Sequence, residues 1–371
     1  MKNQLLHTPD GVRDIYSAEC ARKLVLQDRM HEVFASCGYE DIQTPTFEFF
    51  DIFNKERGSV ASREMYKFFD RDGNTLVLRP DITPSVARAA AKYFEDTDMP
   101  TRLCYMGNTY INNSSYQGRL KEVTQLGCEL IGDSSVEADA EMIAMVIQCM
   151  KKAGLTDFQV QIGEVNYFDG IVEAAGIDEE TETELRTLIE EKNYFGVEEL
   201  LAKLSIDEKI KKSLLGMSEL FGDEDVLAKA KTNTDNEVAL KAVERLEKLY
   251  EVLKMYKLEK HVSFELDMLG KYKYYTGIIF RAYTYGTGDA IVTGGRYDNL
   301  MGQFGKEAAS IGFAIVMNRL MLALSSQKIE VELPNKAEVI YYDDTSLKEA
   351  IEKACDMREQ GVKVKLIKKN A

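Results

Sequence analysis

Two runs of alternating apolar residues, TRLCYMGNTYI (101–111) and KEVTQLGCELIG (121–132), flank a short polar stretch. Alternation with period two marks a half-buried strand. Two such runs so close together read as strand, loop and return strand, which points to an antiparallel sheet. The same signal recurs on both sides. MYKFFDRDGNTLVLRPD reads as a hairpin around Asp72-Gly73. GYEDIQTPTFEFFDIF reads as a strand entering a proline-containing turn, and FQVQIGEV, HVSFELDML, TGIIFRAYTY and DAIVTGGRYD read as further strands. Gly294-Gly295 within the last of these reads as a turn or bulge.

Helical spacing alternates with these strands. Leu24, Val25, Met30, Val33 and Phe34 predict a helix over 17–37, ended by Gly38. ITPSVARAAAKYF predicts a helix with Pro84 in its first turn, where a missing N–H costs little. A helix over about 138–153 carries the Met-rich EMIAMVIQCM, read as core or dimer packing. From about 178 to 260 the chain turns charged and rich in Ala, Leu, Glu and Lys, which predicts an all-helical insertion with a solvated face. SIGFAIVMNRLMLAL begins extended and continues as a buried helix. Strand pairs, a helical insertion and a return to strands define an α+β fold. The predicted organisation is a core over 1–324, a linker over 325–336 and a βαβ fragment over 337–371.

Composition narrows the function classes. The chain has 371 residues and a formal net charge of −15, which disfavours nucleic acid as a partner. It holds no run of eighteen apolar residues and no apolar N-terminal segment, so neither a membrane span nor a signal peptide is expected. The six cysteines are scattered without a CxxC pair, which suits reduced thiols in the cytoplasm. The three histidines are far apart in sequence, so no metal site is expected. The GxxxxGK, GxGxxG, HExxH and GxSxG signatures are absent, and no cofactor is implied.

Six stretches taken in order say more. They are HTPDGVRD (7–14), LRPDITPSVAR (78–88), QGRLKEVTQLGCELIG (117–132), YYTGIIF (274–280), GGRYDNLMGQFG (294–305) and IGFAIVMNRL (311–320). Together they resemble the catalytic core of histidyl-tRNA synthetase, a class II aminoacyl-tRNA synthetase, over about residues 6–324. The resemblance implies a dimer built on an antiparallel sheet flanked by helices.

Set against that family's pattern, the nucleotide side is depleted. Ile111 and Gly270 stand where the family has arginines, Asn113 where it has a glutamate, and Val123 where it has the adenine-stacking phenylalanine. Val316 stands for a small glycine. Arg119 and Arg319 keep family-like positions as residual anion-binding candidates, and Lys271 or Lys273 could stand in partly for the lost arginine. The amino-acid side is kept. By resemblance Asp81, Thr83 and Gln125 hold an α-ammonium, while Glu129 and Tyr274 hold the two imidazole nitrogens, with Tyr275 lining the site. Plainer roles compete for the same residues. Asp81 could cap the helix after it, Glu129 could pair with a structural Arg or Lys, and Arg119 and Arg319 could serve ion pairs. If Tyr274 and Tyr275 alternate along a strand, only one faces a pocket.

A non-catalytic branch of the family fits this pattern: the regulatory subunits of ATP phosphoribosyltransferase, which act in the first step of histidine biosynthesis. The resemblance implies a short catalytic subunit as partner, a homodimer within a hetero-octamer, and histidine as feedback effector. The alternative is a divergent, active histidyl-tRNA synthetase. An amino-acid ligase acting on another carrier fails for want of the same charges.

Overall fold

The structure is a computed structural model that describes residues 6–53, 60–95, 99–113, 119–270 and 275–369. The chain divides into two compact units, Met1–Glu330 and Val331–Ala371. The strands are β1 (Glu40–Asp41), β2 (Phe47–Phe49), β3 (Lys67–Phe69), β4 (Thr75–Leu78), β5 (Thr101–Tyr110), β6 (Glu122–Ile131) and β7 (Phe158–Glu164). They continue as β8 (Phe221–Gly222), β9 (Val262–Glu265), β10 (Ile278–Thr284), β11 (Val292–Arg296), β12 (Ser310–Val316), β13 (Glu338–Tyr342) and β14 (Val364–Lys368). The helices are α1 (Ser17–Ser36), α2 (Thr83–Tyr93), α3 (Val136–Ala153), α4 (Val165–Ala175), α5 (Glu179–Glu190) and α6 (Tyr194–Lys203). They continue as α7 (Glu208–Gly216), α8 (Asp225–Asn233), α9 (Glu237–Met255), α10 (Asn299–Gly302), α11 (Met317–Ser326) and α12 (Leu347–Glu359).

The first unit is organised by a nine-stranded sheet in the order β1-β5-β6-β12-β11-β10-β7-β9-β8. Its centre is antiparallel, and β5 and β6 form the longest hairpin, paired from Thr101–Ile131 to Tyr110–Glu122. Two pairings depart from the antiparallel expectation. β1 runs parallel to β5, and β7 runs parallel to β9. Both are reached through connections longer than a hairpin, which is the condition for parallel pairing. A separate three-stranded sheet, β2-β4-β3, contains the Asp72-Gly73 hairpin, with Gly73 at φ +86° and Asp70 Oδ1 accepting from the Asp72 and Asn74 amides.

Local chemistry explains the element ends. Gly38, just past α1, sits at φ +79°, where a side chain would be strained. Ser135 Oγ accepts from the Ala138 amide at 3.1 Å and caps α3. Glu137 and Asp139 in its first turn and Lys151 and Lys152 in its last match the helix dipole. Its Met and Ile side chains are buried within this chain, so EMIAMVIQCM is core.

The region from 178 to 260 is helical over α5 to α9, but it is not all helix. β8 within it adds an edge strand beside β9. α4, which the sequence reading did not pick out, precedes it and packs on α9. Buried Asp139 on α3 ties these parts together. It accepts from Arg296 Nε of β11 at 3.0 Å and Arg245 Nε of α9 at 2.9 Å. Among the described residues no helix is long and apolar enough to cross a membrane. The second unit is one βαβ turn, β13-α12-β14, with its two strands parallel.

Candidate functional site

The centre of the large sheet is hollowed by small residues. Directly opposed residues in a sheet point to the same face. One row of opposed residues reads Glu129, Gly312, Gly295, Ile279 across β6, β12, β11 and β10. The next row reads Gly127, Ala314, Thr293, Arg281 across the same strands. Gln125 shares this face, being four residues from Glu129 on β6. The middle positions, Gly312, Gly295, Ala314 and Thr293, are therefore small, with Glu129 at the β6 end of the first row and Arg281 at the β10 end of the second.

A cavity of about 360 Å³ occupies this trough, within the size range of small-ligand pockets. Asp81 and Thr83 line it from the start of α2, Gln125 from β6 and Arg281 from β10. Tyr275 and Tyr297 complete the polar lining, and Ile111 and Gly270 also reach it.

The glycines are required by contacts. A Cβ on Gly312 would lie 1.6 Å from Glu129 Oε2, and one on Gly295 would lie 2.6 Å from the Tyr275 ring. Gly294 serves the opposite face, where a Cβ would meet the Phe280 ring at 2.4 Å. Gly294-Gly295 is thus regular strand in β11, not the turn or bulge its sequence suggests.

Glu129 is 1% exposed and does not itself line the cavity. Thr83 Oγ1 donates to its Oε1 at 2.6 Å, and the Tyr297 hydroxyl donates to its Oε2. Its partners are two hydroxyls, not the structural Arg or Lys that its burial had suggested. Burial pushes its carboxyl up to about 8, with the nearby Asp81 charge adding to the rise and the hydroxyls offsetting part of it. While Glu129 is ionised, a hydroxyl whose proton goes to it presents only lone pairs to the cavity, and Thr83 and Tyr297 are then acceptors there. Gln125 Oε1 is a further acceptor, buried and without a hydrogen-bond partner among the described residues. Such an atom costs free energy until a donor reaches it.

Asp81 stands just before α2 and in the cavity wall. Its Oδ1 accepts from the amides of Ile82 at 2.7 Å and Thr83 at 3.3 Å, at the start of α2, and it also faces the cavity. Tyr275 lies just before β10, so the expected alternation with Tyr274 along a strand does not apply to it. Tyr274, Lys271 and Lys273 lie outside the described residues.

The two retained arginines are not brought to the cavity. Arg319 donates from Nη1 to the Ala290 carbonyl at 2.8 Å and pairs with Asp289 at 3.2 Å. Arg119 is exposed. The cation among the described lining residues, Arg281, is ion-paired with Glu190 at the end of α5. The sequence reading missed Tyr297, Arg281 and Glu190. A lone charge in the apolar run TGIIFRAYTY was a usable signal for Arg281, and GGRYD held Tyr297 within a recognised motif. Nothing local distinguishes Glu190.

Two other features bear on ligands. A wider, open groove of about 1080 Å³ lies among α6, α7 and α8. Its polar Ser213 and Asn233 satisfy each other, Ser213 Oγ reaching the Asn233 carbonyl at 2.6 Å and Asn233 Nδ2 the Ser213 carbonyl at 2.8 Å. His31, Asp41 and Cys104 come together, with ligand-type atoms within 4.8 Å of one another. None of the three lines the cavity.

A mainly antiparallel sheet flanked by helices, carrying an amino-acid-sized trough on one face, is the architecture of a class II aminoacyl-tRNA synthetase core. Comparison with known proteins agrees. The family model described as histidyl-tRNA synthetase matches residues 11–320. A solved structure from Bacillus halodurans, described as an ATP phosphoribosyltransferase regulatory subunit/histidyl-tRNA synthetase, superposes with a TM-score of 0.89 at 34% identity, covering 98% of this chain and 93% of that one. The ATP phosphoribosyltransferase regulatory subunit of Acetivibrio thermocellus is 40% identical over 97% of this chain and 86% of its own length. That of Ruminiclostridium cellulolyticum is 41% identical over 98% and 87%. The chain belongs to the family of ATP phosphoribosyltransferase regulatory subunits.

Proposed function

We propose that this chain is a catalytically silent subunit that senses histidine and acts on the catalytic subunit of ATP phosphoribosyltransferase. The observation that carries the reading is the set of acceptors gathered around one small cavity. Gln125 Oε1 and the Asp81 carboxylate offer an α-ammonium two acceptors. Thr83 and Tyr297, polarised by Glu129, offer acceptors to an imidazole N–H. Asp81, Thr83, Gln125, Glu129, Tyr274 and Tyr275 therefore remain the proposed histidine residues, with Tyr297 added to them.

Loss of adenylation follows from charge. Forming an adenylate builds negative charge on the α-phosphate, which needs fixed cations facing it. Among the described lining residues the one cation is Arg281, and Glu190 already pairs with it. Arg319 is turned to Asp289. The proposed assembly is a homodimer within a hetero-octamer with the short catalytic subunit, in the cytoplasm. The six free cysteines suit that compartment.

The test is calorimetric titration of the full chain with histidine, alone and with the catalytic subunit, beside histidine-dependent ATP–pyrophosphate exchange. Saturable histidine binding without exchange is expected. Robust exchange would sink the silent-subunit reading, and absence of binding in both preparations would sink the sensor reading.

A further inference from the structure

We infer that Arg281 is the residue that recognises the ligand's carboxylate, and that Glu190 positions it, so that the helical region shares in selecting the ligand. The inference rests on the histidine-sensing reading and adds a residue and a specificity to it.

The trough has two ends. Gln125 and Glu129 rise at the β6 end, and Arg281 rises at the β10 end, three strand spacings away. That is about 14 Å between backbones, bridged by the inward reach of long side chains and a small ligand between them. Asp81, Gln125, Thr83 and Tyr297 present acceptors to that ligand. A carboxylate is itself an acceptor and finds no cation among them. Arg281 is the one cation among the described lining residues, and its fork of donors matches a carboxylate. A zwitterionic amino acid laid across the trough thus meets acceptors at one end and a guanidinium at the other.

Glu190 keeps that guanidinium in place without using it up. The Arg281 contact runs through Nη2, and a guanidinium carries five N–H donors. The second oxygen of Glu190 accepts from the amides of Leu269 at 2.9 Å and Gly270 at 3.0 Å. One carboxylate therefore joins the end of α5 to β10 and to the backbone that borders the cavity at Gly270. Removing it frees the guanidinium to leave the trough, so Glu190 acts through Arg281 and not on the ligand.

The experiment compares histidine with histamine, which has the same imidazole and amine but no carboxylate, by calorimetry on the full chain with its catalytic subunit present. The unmodified protein is expected to prefer histidine by about 10- to 100-fold, the range of a charge-assisted hydrogen bond. Arg281→Gln is expected to bring the two affinities within about threefold of each other by weakening histidine alone. Glu190→Gln is expected to give an intermediate preference with histamine affinity unchanged. If Arg281→Gln does not fold, Arg281→Gln/Glu190→Gln replaces it, since removing both charges leaves neither buried alone. A folded variant that keeps the full preference, or that weakens both ligands equally, overturns the inference while leaving histidine sensing intact. Unmodified protein that binds neither ligand overturns the sensing reading itself.

Discussion

Glu129 sits against the bare backbone of Gly312 with its oxygens taken by Thr83 and Tyr297, and it titrates near pH 8 in place of the usual carboxylate range. Its state sets what the cavity displays. When ionised it draws both hydroxyl protons and leaves acceptors facing the ligand; when protonated it donates to one hydroxyl and frees that proton to face the cavity. A ligand that donates from ammonium and imidazole N–H groups favours the ionised form, so binding expels a proton below about pH 8. Histidine affinity is therefore expected to rise between pH 7 and pH 8.5, by up to about tenfold, the limit for one proton per pH unit. The rise should level off above that and be missing from Glu129→Gln. Calorimetric titrations at three pH values check it, and a rise of equal size in both proteins would refute it.

Between elements, the firmest polar tie is the one Asp139 makes. It stands on α3 with no exposure and receives Arg296 from β11 and Arg245 from α9. Burial raises its carboxyl and the two arginines pull the other way. Asp139→Asn takes the shared counter-charge from Arg245 and leaves buried Arg296 with Asp298 alone, and is expected to cost roughly 3–5 kcal/mol in a denaturant titration. Asp235→Asn, which breaks an exposed pair with Lys209, is expected to cost about 1 kcal/mol or less. Equal small losses in the two variants would remove the tie from the account. The elements joined here were readable before they could be seen to meet. The periodicity and caps of α1 and α3, the hairpin at Gly73 and the β5–β6 pair each report a local preference, and local preference is what sequence spacing records. Glu129, Gln125, Asp81, Thr83 and Tyr275 were found because motifs carried them. The row through Gly312 and Gly295, the parallel partner of β1 and the reach of Glu190 to Arg281 depend on register between distant segments. No nearby residue encodes them. Arg319 shows the opposite error: a motif position was kept while its side chain turned to Asp289.

At the scale of the whole molecule, the cavity belongs to the first unit. Every described residue of the cavity lies in Met1–Glu330. Val331–Ala371 offers a two-stranded parallel sheet and one helix, with Tyr341, Ile351 and Ile367 exposed. Two strands and a helix bury too little apolar surface to stand alone with any margin. A chain ending at residue 330 is expected to fold and bind histidine with unchanged affinity, and the separate tail to show no cooperative unfolding transition. Circular dichroism and calorimetry on both pieces check this; a folded truncation that has lost histidine binding would show that the tail belongs to the site.

The trough floor of Gly295 and Gly312 has a further consequence, visible in heredity more than in energy. No amino acid is smaller than glycine, so every codon change that replaces one of these residues adds atoms to a space that is already filled or needed. The hollow can be narrowed in one mutational step, and no substitution at these two places widens it. Change at these two places therefore runs one way in volume, toward a smaller cavity.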